Sequence, residues 1–150
     1  MCSKCFLSQK ECKCSDNVSY FDVDDSIFDI IKVLNLKGYT TTYCCGGHVN
    51  VDQLIDKFPP NLYIKFTRDA FDSLINIPDF LEKERSTCII RYYVNINNHI
   101  IWKPNIPKRN QNVEELITSD VIESCERDLK QKRSIIALWV NELPYRKVGV

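Results

Sequence analysis

No net charge is carried by this sequence: 20 basic residues balance 20 acidic ones over 150 positions. A neutral chain argues against broad electrostatic attachment to nucleic acid or an anionic membrane and leaves only a local basic patch for such partners. Long hydrophobic runs are missing as well. Nothing approaches the roughly 18 apolar residues of a membrane-crossing helix, and the N-terminus is polar and cysteine-rich rather than apolar like a secretory signal. The expected compartment is therefore the cytoplasm, with no membrane partner. Histidine is scarce, with two residues in all, which confines general acid–base chemistry to very few positions. Internal repeats and low-complexity tracts are absent, which sets aside stacked-repeat architectures.

What the chain does have is cysteine, eight residues of it. A chain of 150 residues can build a hydrophobic core as one domain, so disulfide staples are not needed for stability. In a reducing compartment, clustered cysteines point to metal binding or catalysis before disulfides. The first cluster is "MCSKCFLSQKECKC", with spacing Cys2-x2-Cys5-x6-Cys12-x1-Cys14. A C-x2-C turn supplies two thiolates from one knuckle, and a second close pair can complete a tetrahedral zinc site. Lys4, Lys10 and Lys13 lower the cost of nearby thiolates. Four ligands from Cys2, Cys5, Cys12 and Cys14 are the expectation, with zinc as the cofactor. A site shared with the second cluster, an iron–sulfur centre and solvated or redox-active thiols are the alternatives. Frequent Asn and Ile fit an AT-rich genome, such as that of a Gram-positive bacterium or one of its phages.

The rest of the chain reads as α+β. "DVDDSIFDIIKVLNLKG" predicts a helix capped by Asp24 or Asp25, with Ile27, Ile30, Ile31 and Leu34 as its apolar stripe and Gly38 as its C′ residue. Val18 to Val23 is a linker or a first strand. "YTTTYCC" predicts a strand, "VDQLIDKF" one or two helical turns, and "NLYIKFT" a strand with Leu62, Ile64 and Phe66 on one face. "RDAFDSLINI" predicts a short helix. "STCIIRYYVNINNHIIWK" predicts a hairpin turning at Asn97-Asn98, with Ile96 opposite His99, Val94 opposite Ile101 and Tyr93 opposite Trp102. From Val113 a helical pattern runs to Leu143, restarting at Ser119-Asp120, with Ile122, Cys125, Leu129, Ile136, Trp139 and Leu143 on one face. Cys88 and Cys125 fall at core positions, and His99 is expected to be exposed beside the turn. The expected architecture is a mixed or antiparallel sheet of about four strands, with an N-terminal helix and a long C-terminal helix. A zinc knuckle over residues 1–17 precedes a single α+β domain over 18–150.

The second cluster, "CCGGH", ends the first predicted strand. Neighbouring side chains on a strand face opposite ways, so Cys44 and Cys45 are expected to do different jobs. Gly46 and Gly47 allow a sharp turn and a close approach to a ligand. Cys45 and His48 are candidate metal ligands, or a nucleophile with its activating base. Cys45, Gly46, Gly47 and His48 together are a candidate ligand-binding loop, in which backbone amides hold an anion. Buried cysteines and a surface histidine with no function are the simpler alternative. Carboxylates such as Asp22 or Asp52 are candidate partners in space.

On "DDSIFDIIKVLNLKGYTTTYCCGGHV" the chain resembles small, uncharacterised proteins of Gram-positive bacteria and their phages. These have an N-terminal cysteine knuckle, a helix ending in Leu-Asn, and a G-Y-x-T-x-x-C-C-x-G-H motif. More distantly it resembles the wybutosine-synthesis methyltransferase family, which modifies tRNA with S-adenosylmethionine. Leu34-Asn35, Thr41-Thr42, Cys45 and Gly47 match that family's helix end, strand and loop. Its Ser-Ser pair is Tyr43-Cys44 here, and its Arg is His48. The distant resemblance implies a shared core fold and, under an enzymatic reading, S-adenosylmethionine as cofactor.

"WKPNIPKR" adds Trp102, Lys103, Lys108 and Arg109 near Arg91, Tyr92 and Tyr93, a mixture that can stack on and neutralise single-stranded nucleic acid or simply form a solvated sheet edge. Two functional classes follow. One is a zinc-stabilised binding or regulatory protein acting on nucleic acid or on a protein, such as a phage-encoded regulator of a host system. The other is a nucleic-acid-modifying enzyme centred on Cys45 and His48.

Overall fold

Asp24 opens the first helix. Its Oδ1 accepts the Ser26 N–H at 3.0 Å and the Ser26 hydroxyl at 2.7 Å, satisfying a donor that the first turn leaves unpaired. A 3-10 turn at Asp25–Ile27 leads into α1 (Phe28–Leu36). The expected stripe is the buried face: Ile27, Ile30, Ile31 and Leu34 are all enclosed. Gly38 ends the helix with φ 87°. Its N–H donates to Asn35 O at 3.0 Å and the Tyr39 N–H to Leu34 O at 2.9 Å, the two bonds of a Schellman closure. Asn35 is itself buried. Its Nδ2 donates to Ile31 O and to Thr41 Oγ1, each at 2.8 Å, and its Oδ1 accepts the Thr41 N–H at 3.2 Å. One amide thus ties the helix end to the strand that follows.

The computed structural model describes residues 1–15, 18–49, 60–90, 93–104 and 119–146, with side chains at 88–90 and 93–95 undescribed. Within them the strands are β1 (Thr41–Cys45), β2 (Leu62–Phe66), β3 (Glu82–Ile90) and β4 (Tyr93–Trp102), and the remaining helices are α2 (Arg68–Asp72) and α3 (Ser119–Glu142). The sheet is four-stranded and antiparallel, in the order β1-β2-β4-β3. The fold is therefore α+β, as the hydrophobic pattern predicts. The helical turns expected in "VDQLIDKF", the start of the last helix at Val113, and Asp52, Arg91, Tyr92, Lys108 and Arg109 lie outside the described residues.

The hairpin is real but its turn is elsewhere. β3 and β4 pair from Ile90 opposite Tyr93 to Glu82 opposite Ile101, so the turn is not at Asn97-Asn98. Asn97 and Asn98 sit inside β4, opposite Ser86 and Arg85. The expected pairs Ile96–His99, Val94–Ile101 and Tyr93–Trp102 are corrected accordingly: each lies along one strand. Asn98 is tolerated there because its buried amide is satisfied, Oδ1 accepting the Arg85 Nε–H at 2.7 Å, while Arg85 also pairs with Asp72. His99 is not exposed: its side chain is 13% accessible and contacts Glu84 at 3.1 Å.

α1 and α3 cover one face of the sheet. Leu62, Ile64, Phe66 and Ile100 meet Cys125, Leu129, Ile136, Trp139, Val140 and Leu143 across the core. Each such aliphatic residue contributes about 1.5–3 kcal/mol relative to exposure. The C-terminus of α3 is closed by a buried lysine. Lys37 Nζ donates to the carbonyls of Val140 (3.0 Å), Asn141 (2.6 Å) and Leu143 (2.7 Å), placing its charge at the negative end of the helix dipole and pairing three carbonyls the helix leaves open.

Candidate functional site

The N-terminal segment folds around its sulfurs. Lys4 N–H donates to Cys2 Sγ at 3.4 Å and Cys14 N–H to Cys12 Sγ at 3.4 Å, so each pair has an amide two residues on that turns toward the sulfur. Phe6 N–H closes the first turn onto Cys2 O at 3.0 Å, and Cys12 N–H closes the second onto Ser8 O at 2.9 Å. Cys2 bridges Tyr20, and Met1, buried in the core, exchanges backbone bonds with Phe21. Every described cysteine thiol is free. The sulfurs of Cys2, Cys5, Cys12 and Cys14 all lie within 4.8 Å of one another. Four sulfurs around one tetrahedral zinc stand about 3.8 Å apart, so only a small contraction separates this arrangement from a metal site. The group can hold a metal ion.

Its electrostatics fit that use. The Tyr20 hydroxyl and the Cys14 amide, both donating to the Cys12 sulfur, lower that thiol to about 6. Cys14 is pushed up to about 12 by partial desolvation and by the sulfurs of Cys5 and Cys12. At Cys5 the Leu7 backbone pulls the thiol down, but desolvation and the neighbouring sulfurs outweigh it and leave it raised. Desolvation first, and then the neighbouring sulfurs, oppose ionisation beyond the first thiolate, and a cation among the four sulfurs would favour their charged forms.

The CCGGH loop is held from two sides, the strand that the sequence pattern indicates and a helix contact that it does not. From the sheet side, β1 carries a bulge between Thr41 and Tyr43. After it, Tyr43 lies opposite Lys65, Cys44 opposite Ile64 and Cys45 opposite Tyr63. Cys44 packs against the core, and Cys45 shares the outer face with Tyr63, so the two cysteines do separate as alternation predicts. Burial raises the Cys44 thiol further out of reach of ionisation. From the helix side, Arg133 of α3 donates through Nε to Gly46 O at 2.8 Å and through Nη2 to Gly47 O at 2.6 Å. The glycines are required for this fit. A Cβ on Gly46 would stand 1.9 Å from Ser26 Oγ, and one on Gly47, at φ +81°, would stand 2.5 Å from Leu129 Cδ2.

The carboxylate of the site is Asp24, the same residue that caps the first helix. Its Oδ2 accepts the Gly46 N–H at 2.9 Å and meets His48 Nε2 at 2.5 Å. Desolvation pushes this carboxyl up, but the Gly46 and Ser26 donors and His48 outweigh it and hold it below its ordinary value. Asp24, Cys45 and His48 offer ligand atoms within 4.8 Å of one another, on an open cleft of about 510 Å³ that Asp22, Asp25, Tyr43 and Tyr63 also line. The Gly46 N–H, one of the amides an anion would use, is taken by Asp24. Asp24 was legible as a cap; its second role depends on where the loop returns.

The aromatic and basic side chains regroup as well. Trp102 is half-buried under Lys132 (5.4 Å to the ring), and Lys103 lies near Glu82 and Glu84 at 3.9 and 3.7 Å. On the outer face of β1 and β2, Tyr43 and Tyr63 stack at 6.2 Å with 13° between planes, and Lys65 Nζ lies 5.7 Å from each ring. Tyr43 is 63% exposed. A second open groove of about 460 Å³ runs beside them past Arg68, Asn97 and Asn98.

No family model, curated protein or solved structure matches the chain. Among the described residues no helix is long and apolar enough to cross a membrane.

Proposed function

We propose that the chain is a zinc-stabilised protein that binds single-stranded nucleic acid in the cytoplasm of a bacterium or a phage-infected cell. The observation that carries the zinc assignment is the convergence of four cysteine sulfurs in a segment with few apolar contacts of its own. An all-sulfur set of four is a closed, structural donor set, suited to zinc rather than to a hard cation. The ion would fold residues 1–15 onto the body and supply no chemistry.

The binding surface is the Tyr43–Tyr63 pair with Lys65 and Arg68. The exposed Tyr43 ring, stacked on the half-buried Tyr63 with Lys65 near both, offers a π-face to a base and a charge to the backbone, a combination that tolerates any sequence. The neutral whole-chain charge fits a short footprint and weak, salt-sensitive affinity rather than extended coating. The test is fluorescence anisotropy with labelled single-stranded oligonucleotides at low and physiological salt. Tyr43→Ala is expected to weaken binding by about 5- to 150-fold, matching the ~1–3 kcal/mol of one lost stack. Absence of any binding by the zinc-loaded protein would overturn the reading and turn the search to a protein partner.

A nucleic-acid-modifying enzyme is a second reading, with Cys45 and His48 as its working residues and S-adenosylmethionine as the cofactor that the distant resemblance implies. The observation favouring it is that a carboxylate, Asp24, joins Cys45 and His48 beside the tyrosine pair.

A further inference from the structure

We infer that Asp24, Cys45 and His48 form a second metal site, distinct from the four-sulfur knuckle, that takes a divalent transition metal of the zinc class. Three protein donors leave one tetrahedral position for a water or for a donor atom of a bound ligand.

Three independent features lead there. The donors are one oxygen, one sulfur and one nitrogen within 4.8 Å of one another. A borderline-soft set of that kind suits zinc or cobalt and is wrong for magnesium or calcium, which take oxygen. The anchoring is graded. Asp24 is 10% exposed and fixed by the Ser26 and Gly46 amides, while His48 is 63% exposed on a loop whose preceding glycines are clamped by Arg133. A cation about 2.0–2.3 Å from each donor needs the short Asp24–His48 contact to open by about 1 Å, and the exposed imidazole is free to provide that. The third feature is charge. Asp22 and Asp25 line the same cleft, and among the described residues its lining holds no lysine or arginine. Three carboxylates oppose an unaccompanied thiolate nucleophile at Cys45 and favour a bound cation, so the geometry serves metal binding better than a cysteine–histidine dyad.

The site differs from the knuckle in being open. A closed four-sulfur set stabilises; a three-donor set with a free position exchanges its fourth ligand. Its metal is therefore the more readily removed of the two.

Zinc titration followed by native mass spectrometry tests this on the full chain. The wild-type protein is expected to bind a second equivalent that a mild chelator removes before the first. His48→Ala, at an exposed position, is expected to stay folded by circular dichroism, keep the first equivalent and lose the second. Cys12→Ser with Cys14→Ser should do the reverse, which separates failure of the knuckle from failure of this site. Alkylation of Cys45, mapped by peptide, should slow at least tenfold when zinc is added beyond the first equivalent. Saturation of the wild type at one zinc, retention of the second by His48→Ala, or Cys45 labelling indifferent to zinc would each overturn the assignment.

Discussion

The N-terminal knuckle and the CCGGH loop are both cysteine-containing turns, and they are held by opposite means. In the knuckle the structure-making groups are the sulfurs themselves: short amide-to-sulfur bonds, two small turns, and a tether through Met1 and Tyr20. In the loop Cys44 packs against the core, but the cysteines do not set the turn. Arg133, the Asp24 carboxylate and two glycines without room for a Cβ impose its shape from the core outward. Under the proposed zinc assignment a cation would complete the first, whereas the second keeps its shape through protein contacts alone.

On the proposed zinc assignment, the largest effect should come from stripping metal from the knuckle. Structural zinc sites contribute about 10–16 kcal/mol of binding energy in isolated peptides. Stripping the protein with a strong chelator should therefore release residues 1–15: amide exchange at Cys2, Phe6 and Cys12 should rise by orders of magnitude while Leu62–Phe66 stays protected. A knuckle that remains protected without metal would erase the contrast between the two regions.

Next in size is Arg133→Ala, which leaves the Gly46 and Gly47 carbonyls without their charged donor. Hydrogen bonds to a charged group contribute about 1.5–3 kcal/mol each, and sharing one side chain makes the pair worth about 2–4 kcal/mol. Urea denaturation should register that loss, with the knuckle's metal content unchanged. Arg133→Lys should recover less than half of it, because an ammonium cannot span two carbonyls as a guanidinium does. Full recovery would mean that charge alone, rather than the fork, holds the loop.

The smallest effect belongs to a pair outside both regions. The Glu84 carboxyl is lowered by its contact with Glu82 and by His99 and Lys103. A depressed folded pKa gives stability that is present above the ordinary value of 4.5 and is lost as pH falls through the folded value. Glu84→Gln should therefore cost about 0–1 kcal/mol near neutrality, and the difference from wild type should shrink in thermal melts as pH falls below 4.5 and the carboxyl takes up its proton. A larger cost would show the outer sheet edge contributing as much as the loop clamp.

Legibility of the sequence followed the range of the interactions. Ile27, Ile30, Ile31 and Leu34, the Schellman end at Gly38, and the alternation of Leu62, Ile64 and Phe66 were readable because each depends on neighbours a few residues away. The cysteine quartet was readable for the same reason, since all four ligands lie within one short segment. The hairpin turn was misplaced because two adjacent asparagines carry a strong local turn signal. Asn98 is instead satisfied by Arg85, thirteen residues earlier. The same turn signal places His99 at the surface, whereas its side chain is 13% accessible beside Glu84.

By itself the sequence determined the α+β class, the faces of α1, β2 and α3, and the metal-capable group at Cys2, Cys5, Cys12 and Cys14, because local periodicity and ligand spacing are written in consecutive residues. Only the tertiary structure decided that Asp24 faces Cys45 and His48, that Arg133 grips Gly46 and Gly47, and that Tyr43 joins Tyr63 on the outer face. The bulge after Thr41 is the physical reason for the last. One extra residue in an edge strand reverses which side chains face the core, and it shows only in the register that β1 takes against β2.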